Sequence, residues 1–252
     1  MELFKGVKED IERTKGYSFR QKLDFIREYY KLPIIIVLAV IGIILSFIMT
    51  NHNQKEPVLT GILLNADPRE EAAVSALEER FLNELQMDPK DFEVTINSGL
   101  TYAPEDNSQF EANYTTMEVL SAQAASGQLD FLAGNEKIMI TLAYSDFLVD
   151  LSQVLTAEQL DKHADRLLYV DLAVLEAFQK AADSGDYSAD IQIPDPSMPE
   201  KMEKPIPVLL ILDECKDIKA VYNHTTEKVL FGVIANYPHQ QSLLRFLDFL
   251  FS

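Results

Sequence analysis

The chain has 252 residues, 47% of them hydrophobic and 25% charged, which excludes a disordered or low-complexity protein. A formal charge of −18 excludes a broad nucleic-acid-binding surface, and a single cysteine, Cys215, excludes an internal disulfide.

Residues 17–31, YSFRQKLDFIREYYK, place Phe19, Leu23, Ile26 and Tyr30 on one helical stripe among arginines and lysines. Two roles fit, a membrane-surface segment or a docking helix for a cytoplasmic partner. The next stretch, LPIIIVLAVIGIILSFIMT at 32–50, holds 19 residues without a charge. At about 1.5 Å per residue it spans roughly 28 Å, the thickness of a bilayer's hydrocarbon core. It is longer than the apolar part of a cleaved leader, has no small-x-small site after it, and has no cysteine for lipidation. An uncleaved transmembrane helix is expected. Eight Lys and Arg precede the span (Lys5, Lys8, Arg13, Lys15, Arg20, Lys22, Arg27, Lys31), whereas only Lys55 and Arg69 follow closely. The positive-inside rule therefore puts the N-terminal head, 1–31, in the cytoplasm and the C-terminal domain outside the cell membrane. With six acids, the head carries +2, so the remainder carries −20.

A polar linker, 51–57, leads into a domain predicted over 58–252. VLTGILL (58–64) reads as a strand. Asp67, Pro68 and Glu70 then read as N-cap, first and third helical positions, before a helix buried along Val74, Leu77, Phe81 and Leu85. FEVTI (92–96) alternates as a second strand, and a helix over 109–126 ends at Gly127. LDFLAG is a third strand, after which Asn135 caps a helix. Strand and helix alternating this way predict right-handed crossovers and parallel pairing. Thr156 and Gln159 predict a capping-box helix through Leu168, and Asp171–Ala182 another, stopped by Ser184 and Gly185. Residues 186–207 read as irregular, with Pro194, Pro196, Pro199, Pro205 and Pro207. Strands follow at 208–212 and 229–235, and a last helix, opened by Pro238, buries Leu243, Phe246, Leu247 and Leu250. The expected fold is α/β: one three-layer lobe with a mostly parallel sheet of about five strands, preceded by one transmembrane helix.

The stretch TMEVLSAQAASGQLDFLAGNEKIMITLAYSDFLVDLSQVL (116–155) resembles bacterial extracellular solute-binding proteins, in which a helix delivers a small-small-Gly-x-hydrophobic-Asp strand. KPIPVLLIL and VLFGVIANYPHQQSLLRFLDFL are similar to that family's returning strands and closing helix. The likeness covers roughly 58–155 and 205–251. In addition, FRQKLDFIREYYKLPIII looks like the head of uncharacterised single-span membrane proteins of Gram-positive gut bacteria. The resemblance implies two lobes closing on a ligand, yet only about 70 residues separate Gly134 from Pro207, with LLYV and IQI as the sole strand candidates. That is too little for a second sheet-containing lobe, so a single lobe without clamshell closure is expected.

Ligands of open α/β sheets sit beyond the carboxyl ends of strands. The polar residues expected there are Asn65, Asp67, Ser98, Gly134 and Asn135, with Asn236 and Tyr237 ending the last long strand in a direction the sequence leaves open. The same residue types cap helices and make turns, so both roles stay open. His52, His163, His224 and His239 have no metal-ligand spacing, and the acids at 183–195 lack a calcium-loop pattern. No metal, no cofactor and no catalytic residue is expected, and the chain is read as a non-enzyme. Two functions follow. Either the lobe meets a protein partner, such as a transporter, or it captures a small polar solute at the strand ends; nucleic acid is not expected.

Overall fold

The computed structural model describes residues 15–18, 20–21, 35–36, 38–42, 55–145, 147–185 and 191–252. The chain divides into two compact units, 1–54 and 55–252. In the first, the described residues at 20–21, 35–36 and 38–42 are helical. Among the described residues no helix is long and apolar enough to cross a membrane, and most of the span expected at 32–50 lies outside them.

The second unit is built on one six-stranded sheet of order β2-β1-β3-β6-β5-β4. Its strands are β1 (Glu56–Leu63), β2 (Phe92–Asn97), β3 (Phe131–Asn135), β4 (Leu167–Asp171), β5 (Pro205–Ile211) and β6 (Val229–Val233). The expectation of a mostly parallel sheet of about five strands is corrected here. Only β2-β1-β3 pair in parallel, whereas β3-β6, β6-β5 and β5-β4 are antiparallel. Helices α1 (Glu71–Glu84) and α2 (Phe110–Ala125) make the two parallel crossovers. The path steps outward from β1 to β2 and back past β1 to β3, so crossovers of one hand place these helices on opposite faces.

The two faces have separate cores. On one, α1, α6 (Lys216–Val221) and α7 (Gln240–Leu250) bury Leu77, Phe81, Ile218, Leu243 and Phe246 against Leu59, Leu63, Phe131 and Phe231. On the other, α2, α3 (Glu136–Ala143) and α5 (Leu172–Ser184) bury Leu120, Met139, Leu142 and Leu175 against Ile62, Leu132, Leu209 and Leu230. The period-two alternation of β3 and β6 supplies both sides at once. Two glycines let side chains cross the sheet: the Phe131 ring lies over Gly61, and a Cβ on Gly232 would sit 2.6 Å from Leu148 Cδ1.

The sixth strand, LLYVD, contains the strand candidate LLYV and takes its first two residues from the end of the helix expected through Leu168. The Thr156–Gln159 capping box does form, but α4 (Ala157–Lys162) stops after six residues. A 3-10 turn at Ala164–Arg166 redirects the chain. Leu168 and Val170 then enter one core and Leu167 the other, so burial on both faces outweighs local helical composition. Pro207, which has no N–H to give, falls where the β4–β5 register shifts. The outer N–H of Tyr169 is met by the Pro196 carbonyl at 2.8 Å, so the proline-rich segment lies along β4.

Two ends conform to expectation. Gly127 (φ 63°) closes α2 while Gln128 N–H donates to the Gln123 carbonyl, and Gly185 (φ 70°) closes α5. Asp67 does not cap α1, which begins four residues later after Glu70. Its carboxylate accepts the Arg69 N–H at 3.0 Å and pairs with the Arg69 guanidinium at 2.6 Å. Those bonds hold the Asp67 carboxyl down at about 2. Asp171 opposes its own burial by accepting the N–H groups of Glu203, Lys204 and Ala173, and it too lies below the usual carboxylate range. A depressed carboxyl stabilises the fold above its unfolded pKa and loses that contribution as pH falls through its folded value. The domain is therefore expected to lose stability progressively from about pH 4 toward 2. Circular dichroism along an acid titration measures this, and Asp67→Asn should flatten the lower part of the curve.

Cys215 is buried, and burial first of all pushes its thiol up to about 12 despite the opposing pull of Arg166. With almost no thiolate at neutral pH, it is expected to resist a thiol-specific reagent in the native chain and to label only on unfolding. Fast labelling of folded protein would contradict this placement.

Candidate functional site at the strand ends

Because β1, β2 and β3 run the same way, their carboxyl ends share one edge of the sheet. The antiparallel β6 brings its beginning to that edge: Asn135 pairs with Val229, and Glu136 N–H donates to the Lys228 carbonyl at 2.9 Å. Asn236 and Tyr237, at the far end of β6, therefore lie at the opposite edge, away from the other expected site residues. Asn236 makes a left-handed turn there (φ 65°).

Asn65 also has a left-handed backbone (φ 57°), and its amide clamps the β2–α2 loop. Its Nδ2 donates to the Tyr102 carbonyl at 2.9 Å, and its Oδ1 accepts the Tyr102 N–H at 2.7 Å. Asn113, in the first turns of α2, repeats this with Ala103 at 2.8 and 2.7 Å. Two amides thus hold the loop as a wall. Facing it are Asn135, Lys137, Ile138 and Thr141 at the start of α3, and between them lies a cleft of about 240 Å³. Lys137 and Glu105 form an ion pair that joins the two walls.

Asn135 stands at the N-cap position of α3 but makes no capping bond. Its Nδ2 donates to Glu227 at 2.8 Å, and because a carboxylate only accepts, that bond fixes the amide's orientation. Oδ1 is left buried, with no hydrogen-bond partner among the described residues. Gly134 serves packing rather than contact, since a Cβ there would press on Leu64 at 3.3 Å. Ser98 and Asp67 do not line the cleft. Beneath it the buried Tyr222 hydroxyl donates to the Leu64 carbonyl at 2.8 Å, tying α6 to the ends of β1 and β3.

Of the seven expected residues, then, the structure brings Asn65 and Asn135 into one cleft. It adds Tyr102, Lys137, Thr141 and Glu227, whose only signal in the sequence is polarity near a strand end or helix start. Among the described residues no cluster of three or more His, Cys, Asp or Glu is placed to hold a metal ion.

Next to the wall is an apolar surface. Phe110 and Tyr114, four apart on α2 and flanking Asn113, are 72% and 61% exposed. From residue 55 onward, Ile193 is the other large hydrophobic exposed among the described residues. Acidic side chains surround the pair: Glu111 and Glu118 on the helix, Glu105 and Asp106 on the loop, all exposed.

Compared with protein-family models, with curated proteins and with solved structures, the chain finds no match in any of the three.

Proposed function

We propose that the chain is a membrane-anchored, non-catalytic binding protein whose strand-end edge docks a protein partner. The observation that carries this is the exposed Phe110–Tyr114 pair beside a preformed cleft. The two rings offer on the order of 250 Å² of largely apolar surface on a rigid helix. Ringed by acids in a domain of charge −20, they suit a partner presenting an apolar residue amid basic ones. A second copy of the same acidic domain suits them poorly. For the anchor, the described side chains of Ile35, Ile36, Leu38, Val40 and Ile41 are 46–62% exposed, which supports a helix whose apolar residues face lipid. The single sheet supports the likeness to one lobe of a solute receptor, without a second lobe.

A photo-crosslinking residue at position 114, introduced into the full chain in its native membrane, tests the reading. A discrete adduct is expected from position 114 and none from position 79, an exposed site on the opposite helical layer. Equal adducts from both, or none, would overturn it. A second reading, capture of a small polar solute, rests on the unpartnered Asn135 Oδ1, which suits a ligand carrying an N–H or O–H donor.

A further inference from the structure

A second cleft, of about 340 Å³, opens on the layer of α1, α6 and α7. Fourteen basic residues lie beyond residue 50 against 34 acidic ones, yet four of the fourteen line this one cleft: Arg80, Lys162, Arg166 and Lys216. They come from three separate parts of the chain. Four carboxylates stand beside three of these cations, so the binding capacity left over lies in Lys216 and in the N–H groups that the guanidiniums do not spend on those acids.

Arg80 pairs with Asp217, Lys162 with Asp248 at 3.2 Å, and Arg166 with Glu214 at 2.5 Å and more loosely with Asp165 at 3.4 Å. Lys216 pairs with no acid among the described residues. Each guanidinium has five N–H donors, of which these carboxylates take one or two. Two rings hold the guanidiniums flat: Arg80 lies 5.4 Å from the centre of Phe249, and Arg166 lies 5.3 Å from that of Phe251. Planar donors fixed in this way suit the oxygens of a carboxylate or phosphate.

The buried side of the cleft is formed by a histidine. His163 is only 3% exposed, packs on Phe251 at 4.6 Å, and its Nδ1 has no hydrogen-bond partner among the described residues. A polar nitrogen left alone at that depth is unfavourable unless an ordered water or a bound group reaches it. We propose that this cleft is an oxyanion-binding site, taking the phosphate or carboxylate of a small ligand on Arg80, Lys162, Arg166 and Lys216 with His163 at its base. Burial first, then Lys162 and Arg166, keep His163 below its ordinary pKa, so the imidazole is neutral at pH 7 and offers one N–H. Binding here is separate from partner docking at the Phe110–Tyr114 face, and either can fail without the other.

The test is thermal unfolding of the full chain in a non-ionic detergent. Sodium phosphate and sodium succinate are titrated separately against sodium chloride of equal ionic strength. At least one oxyanion is expected to raise the midpoint saturably by about 2–4 °C over chloride. Lys216→Ala removes an exposed, unpaired cation, so the ligand-free midpoint should stay within about a degree while the half-saturating concentration rises about tenfold. Lys162→Met should weaken binding in the same direction, and Lys90→Ala, an exposed lysine elsewhere, should not. Neither oxyanion exceeding chloride would overturn the site. So would a Lys216→Ala titration that overlays the wild type, or equal weakening by Lys90→Ala, which would mark diffuse charge screening.

Discussion

Replacing Asp130 by alanine is expected to destabilise the domain by about 3–5 kcal/mol, which urea unfolding would measure. Asp130 is 0% exposed and directly precedes β3. Its Oδ2 accepts the Thr60 N–H at 2.7 Å, and its Oδ1 accepts the His239 N–H at 2.8 Å. The His239 ring nitrogen Nδ1 lies 2.9 Å from Oδ2. The backbone of Asp130 adds two more bonds, its N–H to the Thr60 carbonyl and its carbonyl to the Ile234 N–H. One side chain thus joins the middle of β1, the start of β3 and the entry to α7. Alanine would leave two backbone N–H groups without acceptors, one of them in the sheet. Asparagine keeps one acceptor oxygen, so Asp130→Asn should fall between the wild type and alanine. A loss below about 1 kcal/mol for alanine would mean that water or a local shift replaces the carboxyl.

Phe131→Ala is expected to cost a similar amount, about 3–5 kcal/mol. The ring is sandwiched between Phe231 at 5.0 Å and Phe246 at 5.1 Å, and Phe246 in turn meets Phe81 edge-on at 4.9 Å. Its removal opens a cavity where the sheet, α1 and α7 meet. It also changes what position 61 tolerates. In the native chain a Cβ at Gly61 would overlap the Phe131 ring, so Gly61→Ala alone should cost about 1–3 kcal/mol through overpacking. In the Phe131→Ala background the same change has room. A double-mutant cycle should therefore show strong coupling, with the alanine penalty at 61 abolished. Additive costs would place the clash elsewhere.

The parts of this fold legible in the sequence are those whose signal is local. Alternating Phe92, Val94 and Ile96 mark β2, and Gly127 and Gly185 end helices by conformations open chiefly to glycine. Pairing is not local. Nothing in VLFGV says that it lies between β3 and β5 and runs against both, so the placement of Asn236 and Tyr237 could not be read. LLYV read both as a strand candidate and as the end of a helix, because leucine-rich residues after a sound capping box continue a helix by composition until burial on two faces decides for strand. Asp67 was misassigned because the motif for an N-cap also suits a turn closed by its own arginine two residues on. The candidate site was partly legible. Asn65 and Asn135 stand out as polar residues at strand ends, but their partners Tyr102 and Glu227 are 37 and 92 positions away. Asp130 was visible as the acid of the solute-receptor-like motif, whereas its bond to His239 spans 109 positions.

The Pro196 carbonyl on Tyr169 N–H has a consequence for how this domain behaves in a crowd. β4 ends the sheet on that side, and an outermost strand invites another chain to extend it. Here the chain has answered the invitation itself, with a backbone atom that almost any residue could supply. Proline at 196 adds refusal, since it has no N–H to offer a newcomer in return. Chain-to-chain zipping along this border would first require peeling away the segment that guards it.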